Sequence, residues 1–287
     1  MLRPTFTIIV LSLLTVLLYS PLHSGNFKET SIQNRVLILT AHPDDECLFF
    51  GPTILALDKA NTEIYSLSLS TGNADGLGAI RSHEYHKSYE ALGVPANRRW
   101  IVDHPELQDN ITASWDPRTI SQTIRPYVIS NSINTILTFD YAGVSSHPNH
   151  ISLPYGVAHL IQTLYALDEP IPRLYTLTTV PTFAKYTSIV APLVAKLDLV
   201  LAQSFDRLYT ISGLGNPASD RIPQTFAKEG IPSSVSRAPI FVSGISEYLR
   251  ALKAMRMHHS QLVWFRWLYV LFSRYMWVND WLEVQLQ

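Results

Sequence analysis

Short apolar runs recur through this chain at spacings that leave room for a helix between them. Arg35–Thr40, 63–70, 99–102, Thr135–Phe139 and 173–178 are rich in Val, Ile, Leu, Tyr and Thr and read as buried strands. Between them, 47–60, 79–92, 117–129 and 151–167 carry helical patterning. Gly51-Pro52 marks a break in the first, Gly93 and Pro95 end the second, and Pro117 opens the third. Strands that alternate with helices demand a mostly parallel sheet covered on both faces. Residues 213–239 are rich in Pro, Ser and Gly and read as a long loop.

In such a sheet, ligands bind beyond the carboxyl ends of the strands. Two polar clusters fall there: His42-Pro43-Asp44-Asp45-Glu46 after the first strand, and His147-Pro148-Asn149-His150 after the strand ending at Phe139. A hydrolytic metal site needs about three protein ligands and one open position. His42, Asp45 and His150 supply two imidazoles and a carboxylate. Asp44 is then left to act as general base, and His147 to stabilise an oxyanion or protonate a leaving group. The bland alternative is a pair of polar loops whose carboxylates cap a helix, since Asp44, Asp45 and Glu46 sit where a helix N-terminus favours anions. Two such clusters at strand ends favour the site. A His, His, Asp donor set suits zinc, with Fe(II) and Mn(II) as alternatives.

These residues resemble the signature of the PIG-L/LmbE family of metal-dependent de-N-acetylases. The resemblance continues through Ser70-Thr71-Gly72-Asn73, Arg81-Ser82-His83-Glu84, Leu92-Gly93-Val94 and Gly143-Val144-Ser145-Ser146. It implies a Rossmann-like sheet without a dinucleotide, in keeping with the lack of a Gly-x-Gly-x-x-Gly after the first strand. It also implies ligation of a divalent metal by His42, Asp45 and His150, with Asp44 as base and His147 as the electrophilic or acid histidine. Asn149 stands where bacterial members usually have Asp, and the eukaryotic branch often has Asn. Asn carries no charge to tune a histidine. Arg81 and Glu84 lie one turn apart. They read either as a solvated ion pair or, by family resemblance, as a pair that shapes the substrate pocket. His83 and His86 read as surface residues, and Cys47 as a packed helix residue.

Both ends of the chain are apolar. Pro4 to Leu22 holds nineteen residues without a charge, about 28 Å as a helix. That length suits an uncleaved transmembrane anchor (1–24). A secretory signal cut between Ser24 and Gly25 would place Leu22 where a small residue is wanted. Residues 262–278 carry Trp264, Trp267 and Trp277, with Trp281 beyond, and only Arg266 and Arg274 as charges. Seventeen residues barely span a bilayer and arginines are costly at its centre, so 260–287 reads as an amphipathic helix at the membrane interface. The catalytic domain then occupies 33–250. Ser260-Gln261 and Ser273-Arg274-Tyr275-Met276 resemble the tail of the eukaryotic PIG-L branch.

That branch implies a glycolipid substrate, N-acetylglucosaminyl-phosphatidylinositol, hydrolysed to the free amine and acetate early in GPI-anchor synthesis. It also implies membrane lipid as a partner and the endoplasmic reticulum membrane as the location, with the catalytic domain facing the cytoplasm. A single cysteine fits a reducing compartment, and the sequon at Asn110 matters only in a lumen. With 22 basic and 23 acidic residues the chain lacks a basic footprint for nucleic acid. Rival readings are a deacetylase of a soluble N-acetylglucosamine conjugate and a non-catalytic membrane adaptor.

Overall fold

The computed structural model describes residues 4–27, 34–212 and 239–285. The loop expected at 213–239 falls almost wholly outside the described residues.

Eight strands form one sheet: β1 (Leu22–Ser24), β2 (Arg35–Thr40), β3 (Glu63–Ser68), β4 (Arg99–Ile101), β5 (Thr135–Phe139), β6 (Arg173–Leu177), β7 (Ile240–Val242) and β8 (Val278–Val284). Eleven helices are described: α1 (Pro4–Tyr19), α2 (Asp45–Phe49), α3 (Gly51–Lys59), α4 (Gly78–Leu92), α5 (Pro117–Ser130), α6 (Gly143–Ser146), α7 (Pro148–Ala166), α8 (Thr182–Lys185), α9 (Val190–Ser212), α10 (Ile245–Met255) and α11 (Trp264–Phe272).

The spatial order is β1-β7-β8-β6-β5-β2-β3-β4. The five strands from β2 to β6 are all parallel. From β2 the chain winds outward through β3 and β4, and from β5 it winds the other way to β6. Right-handed crossovers therefore put the two sets of helices on opposite faces. Accordingly α5 and α7 pack together, with α7 on β2, β5 and β6, while α3, α4 and α10 form another group. Strands sandwiched in this way should be apolar throughout, and Val36, Leu37, Ile38 and Leu39 of β2 are all fully buried. The winding reverses between the neighbours β2 and β5, and their carboxyl ends flank one crevice.

Beyond β6 the sheet turns antiparallel: β8 pairs with β6, β7 with β8, and β1 with β7. The sheet is therefore mixed, with four parallel and three antiparallel pairings among the described strands. β1 and β8 lie outside the expected domain limits of 33 and 250 and pair into the same sheet.

Both terminal expectations change accordingly. The apolar N-terminal run is not one helix. Its helix ends at Tyr19 just before Pro21, and Leu22–Ser24 pairs with β7 instead. Sixteen residues reach about 24 Å, and among the described residues no helix is long and apolar enough to cross a membrane. The N-terminal transmembrane helix is thus not supported. The end of α1 is instead fixed to the domain. The buried Lys196 of α9 donates to the carbonyls of Leu17, Ser20 and Ser243, at 2.6, 2.6 and 3.2 Å. At the other end, among the described residues of the expected 260–287 helix, nine are α-helical, as α11, and Arg274–Met276 form a short 3-10 turn. Trp277 and Trp281 are core residues, with Trp281 in the sheet strand β8, whereas Trp264 and Trp267 are exposed on α11.

One side chain of β8 fixes the break between α2 and α3. Asn279 is buried, and its Oδ1 accepts from the Thr53 N–H and hydroxyl at 3.2 and 2.8 Å. Its Nδ2 donates to the Phe49 carbonyl at 2.7 Å. It thereby satisfies the open end of α2 and the open start of α3, which Phe50 cannot cap. Trp281 adds an indole N–H to Thr53 Oγ1 at 2.8 Å. Replacing Asn279 by Ala strands these buried groups. It is expected to cost about 3 kcal/mol, read as a lower urea midpoint at unchanged slope. A loss below about 1 kcal/mol would remove Asn279 from this role.

Candidate metal centre

The two polar clusters meet in the crevice between β2 and β5. The turn after β2 is built on the Asp45 carboxylate. Its Oδ2 accepts from the N–H groups of Ala41 and His42, at 3.1 and 2.9 Å. Its Oδ1 lies 3.2 Å from His150 Nε2, which lies 3.3 Å from His42 Nδ1. His42, Asp45 and His150 thus offer three buried donor atoms within 4.8 Å of one another. His150 is positioned by ring stacking on Phe139, with centroids 4.0 Å apart and planes 3° apart.

The outer side of each donor is already occupied. His150 Nδ1 donates to the Gly143 carbonyl at 3.2 Å. His42 Nε2 donates to Asn149 Oδ1 at 3.0 Å. These bonds assign the tautomers and leave His42 Nδ1 and His150 Nε2 as lone pairs that face each other beside a carboxylate. Two imidazole lone pairs at 3.3 Å repel unless a cation stands between them. The donor set fits a divalent metal on that ground. Without one, a proton takes the place: burial would lower the His150 pKa, but Asp45 beside it raises it. Burial also raises the Asp45 pKa, but His150 and the other donors hold it well below the carboxylate range.

Asp44 and His147 stand at the rim of this set. Asp44 has φ +98°, a left-handed conformation rare for a residue with a Cβ, and its N–H donates to Glu46 Oε2 at 3.1 Å. Its carboxylate lies 3.9 Å from Arg81 and 3.2 Å from Arg266. Burial raises the Asp44 pKa, and the two arginines offset part of that rise. His147 caps α7 with Nδ1 accepting from Asn149 N–H at 3.2 Å, so its proton sits on Nε2. Burial together with His42 and His150 lowers the His147 pKa to about 4, and the ring is neutral at pH 7.

Arg81 joins the site, but Glu84 does not. Arg81 donates to the carbonyls of Gly72 and Pro43, both at 2.8 Å, and lies 3.3 Å from Asp109. Gly72 is required here, because a Cβ would come within 2.4 Å of Arg81 Cζ. Glu84 instead accepts from Ser260 N–H, Ser260 Oγ and Gln261 Nε2, at 2.9, 2.6 and 2.8 Å. Its carboxylate anchors the chain after α10, which is at odds with a substrate-binding role. The Asn149 side chain holds His42, while only its backbone N–H meets His147, and Oδ1 also accepts from Asn110 N–H at 3.1 Å. Cys47 is buried, with its thiol packed on Met255 Sδ at 3.6 Å and pushed up in pKa by burial. It is a packing residue, although Glu46, Cys47 and His258 lie close together.

Two functional candidates had gone unread. Asp109 lies 3.3 Å from His42 Nε2 and 3.8 Å from His147 Nε2. It follows β4, at the carboxyl edge where a parallel sheet places such residues, and that position was the available signal. Arg266 comes from α11, and its signal was a charge inside an otherwise apolar helix.

A family model described as PIG-L: GlcNAc-PI de-N-acetylase matches residues 37–161. A Bos taurus N-acetylglucosaminyl-phosphatidylinositol de-N-acetylase is 34% identical over 250 residues, which is 86% of this chain and 82% of that protein. The chain belongs to the PIG-L family. A Dictyostelium discoideum protein named as a probable enzyme of the same kind is 30% identical over 92% of this chain and 98% of its own. Among solved structures, N,N'-diacetylchitobiose deacetylase from Pyrococcus horikoshii shares the fold at TM-score 0.54 and 14% identity, covering 99% of this chain and 93% of that one. The zinc-inhibited form of a teicoplanin deacetylase does so at TM-score 0.51 and 10% identity, over 88% and 100%. The PIG-L match contains both polar clusters and stops far short of Arg266.

Replacing Asn149 by Ala is expected to weaken metal binding about 10–100-fold without removing a donor, because His42 then loses its orienting bond. Titration of chelator-treated protein with Zn(II), Mn(II) and Fe(II) reads this. His150→Ala should abolish binding, and unchanged affinity there would exclude His150 as a ligand.

Proposed function

We propose that this protein hydrolyses the N-acetyl amide of N-acetylglucosaminyl-phosphatidylinositol, releasing glucosaminyl-phosphatidylinositol and acetate, an early step of GPI-anchor synthesis. One observation carries the reading. Two buried imidazoles and a carboxylate, from segments about a hundred residues apart, converge in a chain related over 86% of its length to an enzyme of that name.

His42, Asp45 and His150 hold the divalent metal, with zinc the first choice for this donor set. When bound, the metal acidifies a water and polarises the acetyl carbonyl. The chain's own groups do the rest. Asp44 takes the proton of the attacking water, and its raised pKa brings it nearer the working pH. His147, neutral and protonated on Nε2, donates to the oxyanion that forms at the acetyl carbon. Asp44 then passes its proton to the departing nitrogen, which leaves as the amine. Arg81, fixed by two carbonyls, keeps positive charge beside the Asp44 carboxylate.

The substrate's acyl chains keep it in a bilayer, so the protein works at the endoplasmic reticulum membrane, with its catalytic domain facing the cytoplasm. The exposed apolar residues of α11, Trp264, Phe265 and Leu268 among them, support contact with lipid.

Purified protein in detergent is expected to release acetate from the glycolipid and to lose this activity to a chelator. Asp44→Asn should lower turnover at least about 10³-fold while the metal stays bound. Retained turnover in Asp44→Asn would remove it as the base. Equal cleavage of a soluble N-acetylglucosamine conjugate would replace the lipid assignment with a general deacetylase.

A further inference from the structure

Arg266 is an unusual side chain for its helix. The other eight residues of α11 are Trp, Phe, Trp, Leu, Tyr, Val, Leu and Phe. Only Val270 of the nine is buried. Trp264, Leu268 and Leu271, at i, i+4 and i+7, form a stripe on the solvent side with Trp264 75% exposed. An apolar helix with an exposed stripe is stable at a lipid boundary and poorly suited to water. The exposure does not end with α11. Ser188 donates from N–H and Oγ to the carbonyls of Phe272 and Leu271, at 2.9 and 2.6 Å, and so ties the start of α9 to the end of α11. Phe183 and Tyr186 on one side of that tie, and Val190 and Val194 on the other, are exposed as well, Phe183 to 91%.

Within this surface lies an open groove of about 490 Å³, lined by Tyr186, Phe265, Arg266, Leu268, Tyr269 and Phe272. Five of the six lining residues are aromatic or aliphatic, and the sixth is a guanidinium. The guanidinium is also the groove's link to the metal centre. Its Nη2 lies 3.2 Å from Asp44 Oδ2, and among the described residues Asp44 is its sole ion-pair partner. Arginine presents five N–H donors in a planar fork that matches a phosphate. An apolar slot with one cation at its catalytic end is complementary to an amphiphile whose anionic phosphate sits between a sugar head and hydrocarbon chains.

We propose that this groove seats the lipid half of the substrate: an acyl chain between Tyr186 and α11, and the phosphodiester on Arg266. The inference rests on the glycolipid reading above and assigns residues to the part of the substrate that does not react. The surrounding faces of α8, α9 and α11 lie on the bilayer, so the lipid reaches the groove without leaving the membrane. The guanidinium charge is placed one contact from Asp44, so the phosphate end of the lipid is held next to the group that handles the proton.

The test measures binding, independently of turnover. The full chain is titrated, by its tryptophan fluorescence and by calorimetry, with monomeric dihexanoyl-phosphatidylinositol. Two controls are glycerophosphoinositol, which has the phosphate but no chains, and dihexanoylglycerol, which has the chains but no phosphate. The short-chain lipid is expected to bind at least about tenfold more tightly than either half, since each contributes its own contact. Arg266→Gln and Leu268→Glu should each weaken it about tenfold or more. Leu268 is half exposed, so the fold should survive the change, and an unchanged melting temperature checks this. Equal affinity for the chain-free head group, wild-type affinity in both variants, or no binding of the lipid would each overturn the proposal. Acetate release is scored separately. Lipid binding without turnover defeats the de-N-acetylase reading alone, whereas turnover with no preference for the chain-bearing lipid defeats the groove alone.

Discussion

The Asp45 carboxylate is buried, and the site is organised around keeping it charged. Burial by itself raises its pKa and favours the protonated form. Two backbone N–H groups on Oδ2 and, in the metal-free site, a protonated His150 imidazole at Oδ1 keep it anionic. Those N–H groups belong to Ala41 and His42, so the same bonds fold the turn after β2 and aim His42 Nδ1 inward. His150 must come from the loop after β5, and it does so because the winding of the sheet reverses between β2 and β5. A buried anion that lost these partners would remain as an uncompensated charge, which is far more costly than never having been buried. Fold and donor set therefore depend on each other.

A second buried carboxylate ties the distant end of the chain to this turn. Glu46 Oε2 accepts from Asp44 N–H, while Oε1 takes Ser88 Oγ at 2.5 Å and His258 Nε2 at 2.6 Å. His258 would lose its charge through burial, but Glu46 raises its pKa and favours the ion pair. Two residues later Ser260 and Gln261 are held by Glu84 of α4. Four residues beyond Ser260 α11 begins, and Arg266 on its first turn and a half reaches Asp44. The C-terminal segment is thus part of the catalytic domain.

The parallel half of this architecture was legible because its signals are local. Thr135–Phe139 carries Ile136, Leu137 and Phe139 between β-favouring threonines and is buried along its whole length, and Gly51-Pro52 breaks the helix where the chain does break. The antiparallel half was not, because β1 and β7 hold three residues each and carry too little periodicity to be told from loop. The aromatic density of 262–281 has two causes, lipid-facing exposure on α11 and core packing at Trp277 and Trp281, and composition cannot separate them. Similarly, an apolar run of nineteen residues does not reveal that its last one, Leu22, opens an edge strand of the sheet. The site residues divide in the same way. His42, Asp45 and His150 were legible from motif and strand-end position. The partners of Glu84 were not legible, because helical spacing shows only its neighbour at i−3, while Ser260 and Gln261 lie 176 and 177 residues away. Asn149 was weighed as a neighbour of His147, yet its side chain reaches across 107 residues to His42.

Backbone strain is concentrated at this site. Asp44, Val144 and Ser146 all have positive φ, at +98°, +57° and +62°, and they flank the donors on both loops. Each such residue costs on the order of 1–3 kcal/mol, more readily tolerated where neighbours over-determine the conformation. Here they do. Glu46 holds the N–H of Asp44, and Thr179 Oγ1, itself bonded to Asp140 at 2.6 Å, holds the N–H of Val144 at 2.9 Å. Gly143, whose carbonyl orients His150, also sits at positive φ, with a Cβ-sized gap closed by Ile151 at 2.9 Å. The strain is met from the folding energy of the domain, before any ligand arrives. The two imidazoles and the carboxylate then face one another in a fixed arrangement, and a cation that enters has no loop to order. The same rigidity fixes Asp44 and His147 at the rim, where small displacements would separate the proton acceptor from the oxyanion donor.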